Sequence, residues 1–144
     1  MIYTKDKIFI DTNVLVYTQN NKEKEKQLIC RKVLSSLIGR NLLVISTQVM
    51  QEYYNVATQK LGIEKLFVKG TIELFDIYET ITIQPSVIFQ AIDIHILHQL
   101  SFWDSLIISA AKSANCSMLL TEDMNDGQII EGVKIQNPFT LQIQ

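Results

Sequence analysis

Short β-forming runs alternate with longer amphipathic stretches along this chain, and that alternation limits the folds it can adopt. The short runs are KIFI at 7–10, LLVIS at 42–46, TITI at 80–83, SMLLT at 117–121 and VKI at 133–135. Continuously apolar runs of this length are typical of strands that are buried on both faces, as in parallel sheets. We therefore predict an α/β sandwich around a mainly parallel sheet.

The stretches between these runs have the periodicity of helices. Gly39 and Gly62 stand where two of the patterns stop, and Pro85 suits the first turn of another helix. The predicted helices cover 22–39, 47–62, 64–79, 85–99 and 102–115.

Length and composition fit one domain, 1–144, without internal repeats or linkers. The net charge of −2 argues against a broad basic surface, but it does not exclude a polyanionic substrate if several acids are sequestered in one site. No run approaches the ~20 apolar residues of a membrane span, and the start of the chain lacks a signal-peptide pattern. Cys30 and Cys116 have no metal-ligand spacing, so we expect reduced, partly buried thiols in a cytoplasmic protein.

Asp11 lies between two apolar segments, residues 8–10 and 14–16. An unpaired buried charge is costly, so this carboxylate needs a cationic side chain, backbone N–H groups or a metal ion as its partner. Taken alone, Asp11 is also explained as a helix N-cap.

Other acids occur where predicted strands end or helices begin. Glu52 follows the second strand and Asp104 begins a helix, while Glu122, Asp123 and Asp126 follow the strand 117–121. The carboxyl ends of parallel strands meet at one edge of a sheet, so we expect these acids to converge there with Asp11.

Helical geometry adds to this expectation. At about 100° per residue, Asp104 falls inside the apolar arc of its helix, whereas Ser105 and Ser109 lie on the polar arc with Lys112. Glu52 lies at the margin of the buried arc of its own helix.

Each acid also has a structural explanation. Asp104 fits a capping box that begins at Ser101, Glu52 suits an exposed helix face, and the three acids after 121 suit a turn. Four convergent carboxylates nevertheless repel each other unless a cation lies among them. An oxygen-only cluster suits Mg²⁺ or Mn²⁺ rather than zinc. The predicted chemistry is metal-dependent hydrolysis of a phosphate ester.

Four motifs, in order, resemble the PIN-domain family, and most of all the toxin subunits of bacterial VapBC toxin–antitoxin pairs. They are IFIDTNVLVY, STQVMQEYYNVAT, SFWDSLIISAA and LLTEDMNDG, with a closing NPF. The resemblance covers essentially the whole chain. It implies a three-layer α/β/α fold, cleavage of RNA with Mg²⁺ or Mn²⁺, a homodimer, and an antitoxin that enters the active-site groove.

By position, the resemblance implies both catalytic and metal-binding roles for four acids. These are Asp11, Glu52, Asp104 and Asp123. It also implies that Asn13 of the D-T-N motif and Thr121 of the T-x-D motif support the site. Many relatives carry another acid two residues after the fourth one, where this chain has Asn125. Which of Glu122, Asp123 and Asp126 binds metal therefore stays open, with Asp126 ranked second to Asp123.

Two other functions compete with a ribonuclease. A catalytically silent PIN-like module would bind protein or RNA, and the complete set of four acids argues against it. A phosphatase of the haloacid dehalogenase type requires D-x-D after the first strand, where this chain has Asn13 as the second member.

Two further groups of residues are interpreted as structural. His95 and His98 lie among apolar residues and lack a glutamate at metal-site spacing. Tyr53, Tyr54 and Trp103 adjoin candidate acids, and we favour core positions for them over base stacking.

Overall fold

The structure is a computed structural model that describes residues 6–141. Its helices are α1 (Thr12–Tyr17), α2 (Lys24–Leu37), α3 (Thr47–Gln59), α4 (Lys65–Glu73), α5 (Pro85–His98) and α6 (Phe102–Ser113), with a 3₁₀ helix at Leu74–Ile77. Its strands are β1 (Lys7–Ile10), β2 (Leu42–Ser46), β3 (Glu79–Ile81), β4 (Met118–Leu120), β5 (Ile129–Ile130) and β6 (Val133–Gln136).

The six strands form one sheet in the order β3-β2-β1-β4-β6-β5. Every neighbouring pair is parallel except β5 and β6, which pair antiparallel. Helices flank this sheet, with α1 packed on α3 and α5 packed on α6. The predicted α/β/α sandwich with a mainly parallel sheet is confirmed.

The core lies on the central strands, which explains why their sequences are continuously apolar. Phe9 on β1 pairs with Val44 on β2 and with Leu119 on β4, and all three side chains are fully buried. Burial of one such side chain contributes about 1.5–3 kcal/mol, so these strands hold the sheet in a fixed register. The edge of the sheet where β1, β2 and β4 end is consequently rigid, and it fixes the positions of the residues that follow these strands.

The segment predicted as one helix over 64–79 is divided in the structure. Helix α4 ends at Glu73, the 3₁₀ helix follows, and β3 begins at Glu79. The interruption turns Phe75 inward against Tyr53, with their ring centroids 5.0 Å apart. It also frees β3 to pair with β2, a tertiary contact that local helical periodicity does not reveal.

The predicted polar arc of α6 is wrong. Ser105 and Ser109 are fully buried, because α5 packs against this face of α6. Their hydroxyl groups are satisfied internally: Ser109 Oγ donates to the carbonyl of Val87 at 2.8 Å, and Ser105 Oγ donates to the carbonyl of Ser101 at 2.8 Å. Small hydrogen-bonded side chains thus allow the two helices to approach closely.

The residues interpreted as structural have structural partners. Cys30 and Cys116 are free, as predicted, and burial raises the pKa of each thiol to about 12. His98 Nε2 lies 3.0 Å from a carboxylate oxygen of Glu131, and His95 contacts the carbonyl of Leu100. In the described part of the chain, no helix has the length and apolar character that a membrane crossing requires.

Candidate active site

Asp11 is buried, follows β1 directly and is the N-cap of α1. Its Oδ1 accepts a 2.8 Å hydrogen bond from the backbone N–H of Thr12, and its Oδ2 accepts a 2.7 Å bond from Thr121 Oγ1. Only 7% of Asp11 is exposed. Burial raises the pKa of its carboxyl group from 3.8 to about 6, although the two hydrogen bonds act in the opposite direction. The N-cap explanation is therefore correct, and it leaves the carboxylate beside the other acids.

Parallel pairing of β1 with β4 brings Asp123 to this edge. Leu120 pairs with Ile10, so the residues that follow both strands are neighbours. Asn13 Nδ2 donates a 3.1 Å hydrogen bond to Asp123 Oδ2. Burial raises the pKa of Asp123, and the nearby charges of Glu122 and Asp104 raise it further.

Glu52 reaches the same edge from α3, which begins directly after β2. Gln48, one turn earlier, is buried, and its Nε2 donates a 2.7 Å hydrogen bond to Glu52 Oε1. Glu52 as a residue is exposed, yet the atoms packed around its carboxyl group raise its pKa, as does the charge of Asp104. One side of this carboxylate therefore faces the protein while the rest of the residue faces solvent.

Asp104 lies in the first turn of α6 and is half-buried. The N-cap Ser101 accepts a 3.1 Å hydrogen bond from the backbone N–H of Asp104, as the capping-box motif predicts. The side chain of Asp104 still lies near enough to Glu52 and Asp123 to raise the pKa of both. The backbone of Asp104 therefore takes part in the N-terminal cap of α6, while its side chain lies among the acids of the cleft.

The four acids line one small cleft of about 60 Å³. They come from four separate segments of the chain, and the charges of Glu52, Asp104 and Asp123 each raise the pKa of at least one other acid of the cleft. The lining residues are Asp11, Thr12, Asn13, Gln48, Glu52, Trp103, Asp104, Ile107 and Asp123.

Two acids close to Asp123 in sequence lie elsewhere. The carboxylate of Asp126 accepts a 2.9 Å hydrogen bond from the backbone N–H of Asn137 and a 2.8 Å bond from Thr140 Oγ1, which lower its pKa. Asp126 is therefore hydrogen-bonded to residues near the end of the described chain, and its side chain does not line the cleft. The carboxylate of Glu122 accepts a hydrogen bond from the Tyr17 hydroxyl and lies 3.7 Å from Lys26 Nζ.

The side chains around the cleft are held by hydrogen bonds rather than arranged around a cation. Within residues 6–141, no group of three or more His, Cys, Asp or Glu side chains is disposed to hold a metal ion as they stand. The donor chemistry nevertheless fits a hard divalent cation, since every acid offers carboxylate oxygens. Gln48 Oε1 also lies buried beside the cleft, where no described residue donates a hydrogen bond to it. Such a cation would relieve the mutual repulsion of the acids, which raises the pKa of Asp11, Glu52 and Asp123.

Two residues of the cleft were not identified correctly from the sequence. Gln48 was missed, although its position four residues before Glu52 on one helix face is the signal that could have found it. Trp103 was predicted as a core residue, but 65% of it is exposed. Tyr53 is in the core as predicted, whereas Tyr54 is partly exposed at 39%.

Known structures share this fold. FitAcB from Neisseria gonorrhoeae has 20% identity and a TM-score of 0.68, and the alignment covers 93% of this chain and 99% of that one. VapBC2 from Rickettsia felis, bound to a DNA fragment from its promoter, has 22% identity and a TM-score of 0.65 over 91% and 98% of the two chains. VapC20 from Mycobacterium tuberculosis, a toxin that cleaves the sarcin–ricin loop, has 16% identity and a TM-score of 0.65 over 78% and 86%.

The sequence gives a family assignment of its own. No curated protein sequence is similar enough to count as a match. The sequence pattern of the PIN domain, however, matches residues 8–125, a range that contains all four acids of the cleft. The chain belongs to the PIN-domain family.

Proposed function

We propose that this protein is a ribonuclease that depends on Mg²⁺ or Mn²⁺ and acts as the toxin of a toxin–antitoxin pair. The observation that carries the proposal is the convergence of Asp11, Glu52, Asp104 and Asp123 on one cleft in a PIN-domain chain. The structural likeness to toxins and to toxin–antitoxin complexes supports the biological role.

The same four carboxylates would hold the cation. When bound, a divalent cation lowers the pKa of a coordinated water and offsets charge on the phosphodiester. The Thr121 hydroxyl and the Thr12 N–H stabilise the ionised form of Asp11, and Asn13 orients Asp123. Gln48 holds the carboxylate of Glu52 at the mouth of the cleft.

The reaction is hydrolysis of the RNA backbone. A water molecule loses one proton as its oxygen forms a bond to phosphorus, the bond from phosphorus to one ribose oxygen breaks, and that oxygen takes a proton. Binding of the phosphodiester beside four carboxylates is unfavourable without a cation, so the acids restrict the reaction to the metal-loaded protein.

The proposed partners follow from surface chemistry and from the structural neighbours. Structures of toxin–antitoxin complexes from Klebsiella pneumoniae and Salmonella typhimurium share the fold and support an antitoxin partner. Large apolar side chains are exposed on α4 and the 3₁₀ helix, and they support a homodimer. These side chains are Leu66, Phe67, Leu74 and Ile77. The protein would act in the cytoplasm.

A catalytically silent binding module is the second candidate. The observation in its favour is that no described group of acids is already arranged as a metal site. Such a module would bind RNA or protein without cutting RNA, and it would show no affinity for Mg²⁺ or Mn²⁺.

The test is cleavage of transfer, ribosomal and messenger RNA by the purified protein with Mg²⁺, with Mn²⁺ and with EDTA. The Asp11→Asn variant should be inactive, and the Asp93→Asn variant, which neutralises an exposed acid on α5, should cut normally. Asp126→Asn should also cut normally, because Asp126 lies outside the cleft. A folded protein that cuts no RNA and binds neither metal by calorimetry would favour the silent module.

A further inference from the structure

A second hollow, of about 520 Å³, adjoins the acid cleft. Its lining consists of Gln48, Gln51, Glu52, Asn55 and Trp103. Three of these residues, Gln48, Glu52 and Trp103, also line the cleft, so the two spaces share a wall. A substrate bound across the cleft can therefore reach this hollow, which we call the Trp103 hollow.

Trp103 is held in place yet left open to solvent. The Phe102 ring packs against it edge to face, with centroids 5.2 Å apart and an angle of 74° between the ring planes. Its backbone carbonyl lies 3.5 Å from Gln48 Nε2, which also binds Glu52. A large aromatic side chain that is 65% exposed next to an acid cleft offers a flat surface at a fixed position.

The remaining lining of the hollow is polar but carries no positive charge. Gln51 and Asn55 are exposed and lie four residues apart on α3, so their amides face the same side of the helix. Amide groups both donate and accept hydrogen bonds, as the edges of nucleobases do. None of the lining residues is basic, which argues against a phosphate as the occupant of this hollow.

We propose that the Trp103 hollow binds one unpaired base of the RNA substrate, an inference that rests on the proposed function. The base stacks on the indole of Trp103, and Gln51 and Asn55 contact its edge. A base within a duplex has both faces covered by its neighbours, so the hollow selects single-stranded RNA, loops or bulges.

Trp103 is the only tryptophan of the chain, so its fluorescence reports directly on the hollow. The protein is titrated in Ca²⁺, a hard cation that offsets the charge of the four acids, with a single-stranded RNA of roughly 12 nucleotides whose integrity is checked by gel electrophoresis. The same strand with abasic residues and a duplex of the same sequence are the matched ligands. The single strand should quench the fluorescence, and the abasic strand and the duplex should quench it much less. Equal quenching by the abasic strand, or none by any RNA, would overturn the inference.

Variants give an independent measure through the anisotropy of labelled RNA. Trp103→Ala should weaken binding of the single strand about 5- to 100-fold, while Trp103→Phe, which keeps a stacking ring, should lose much less. Gln51→Ala and Asn55→Ala should alter the preference among the four bases. Gln59→Ala, on an exposed amide at the far end of α3, is the control and should bind like the wild type. Unchanged binding by Trp103→Ala would contradict the proposal.

The results separate this inference from the proposed function. Quenching by single strands from a protein that cuts no RNA with any metal would leave the hollow as a base-binding site and remove the nuclease. Metal-dependent cleavage with the same KM for the wild type and Trp103→Ala would keep the nuclease and refute the hollow. Fluorescence that no RNA alters would instead suit a hollow used by a protein partner.

Discussion

Thr121 Oγ1 donates a 2.7 Å hydrogen bond to Oδ2 of Asp11, which joins residues 110 positions apart in the chain. The same hydroxyl oxygen accepts a 3.1 Å bond from the backbone N–H of Asp123. One fully buried threonine therefore fixes both the acid after β1 and the acid after β4.

Replacing this threonine should damage both stability and cleavage. Thr121→Val removes the donor to buried Asp11 and leaves a carboxylate oxygen unpaired, at an expected cost of about 1–3 kcal/mol in the free energy of unfolding. Cleavage should fall by about tenfold or more, because two carboxylates lose their orientation. Thr121→Ser keeps the hydroxyl and should retain most of both. Denaturant unfolding and kcat/KM measure the two effects, and equal behaviour of the valine and serine variants would contradict this role.

The stability of the metal-free protein should depend on the ionisation of Asp11. Its pKa is about 6 in the folded protein and 3.8 when unperturbed, so the folded state binds the proton more tightly than the unfolded chain does. The resulting stabilisation is complete below about pH 4 and is lost as the pH rises through about 6. Asp11→Asn removes this loss, so the metal-free variant should exceed the wild type by ~1–3 kcal/mol at about pH 8.

The comparison of wild type with Asp11→Asn isolates this one group from the other acids of the cleft. Thermal unfolding in EDTA across pH 4–8 measures the difference, which should shrink as the pH falls. Addition of Mg²⁺ or Mn²⁺ should raise the Tm of the wild type most at high pH and leave the variant unchanged. A difference that does not vary with pH would show that Asp11 is not the titrating group.

Glu122 and Asp123 are adjacent in sequence, but they should differ in function. Glu122 pairs with Tyr17 and Lys26, while Asp123 lines the cleft. Asp123→Asn should reduce cleavage by about 100-fold or more, since it removes a charged group from the site. Glu122→Gln should keep cleavage within a few-fold of the wild type. The kcat values of the two variants, measured in parallel, test this prediction. A larger loss for Glu122→Gln would show that Glu122, and not Asp123, is the fourth acid of the site.

Five of the six described strands, and the convergence of acids from several segments on one edge of the sheet, could be predicted because both depend on local pattern and on the rule for parallel sheets. Which of Glu122, Asp123 and Asp126 lines the cleft could not be predicted, because these three nearby acids differ only in the distant residues that they contact. Asp126 turns to Asn137 and Thr140 at the end of the described chain. Helix periodicity also failed for Ser109, whose hydroxyl is buried by a contact with α5 that only the tertiary structure reveals. The local sequence therefore indicates which acids can reach this edge of the sheet, and tertiary packing determines which of them do.

Gln48 should act as a positioning residue for Glu52. Its Nε2 donates to Glu52 Oε1 at 2.7 Å, and its Oε1 is buried without a donor among the described residues. Gln48→Leu removes a polar group that is only partly satisfied, so the free energy of unfolding should change by less than about 1 kcal/mol. Cleavage should nevertheless fall by about tenfold, because Glu52 loses the group that orients it.

The loss should appear in kcat and in the Mn²⁺ concentration that gives half-maximal rate, with KM for RNA nearly unchanged. Gln48→Glu, which places a second carboxylate beside Glu52, should be more harmful than Gln48→Leu and should raise the pH at which cleavage becomes half-maximal. A purely structural role makes the opposite prediction, since Gln48→Leu would then lower stability and leave kcat and the Mn²⁺ midpoint at their wild-type values. Rate measurements across pH and Mn²⁺ concentration, together with denaturant unfolding, distinguish the two.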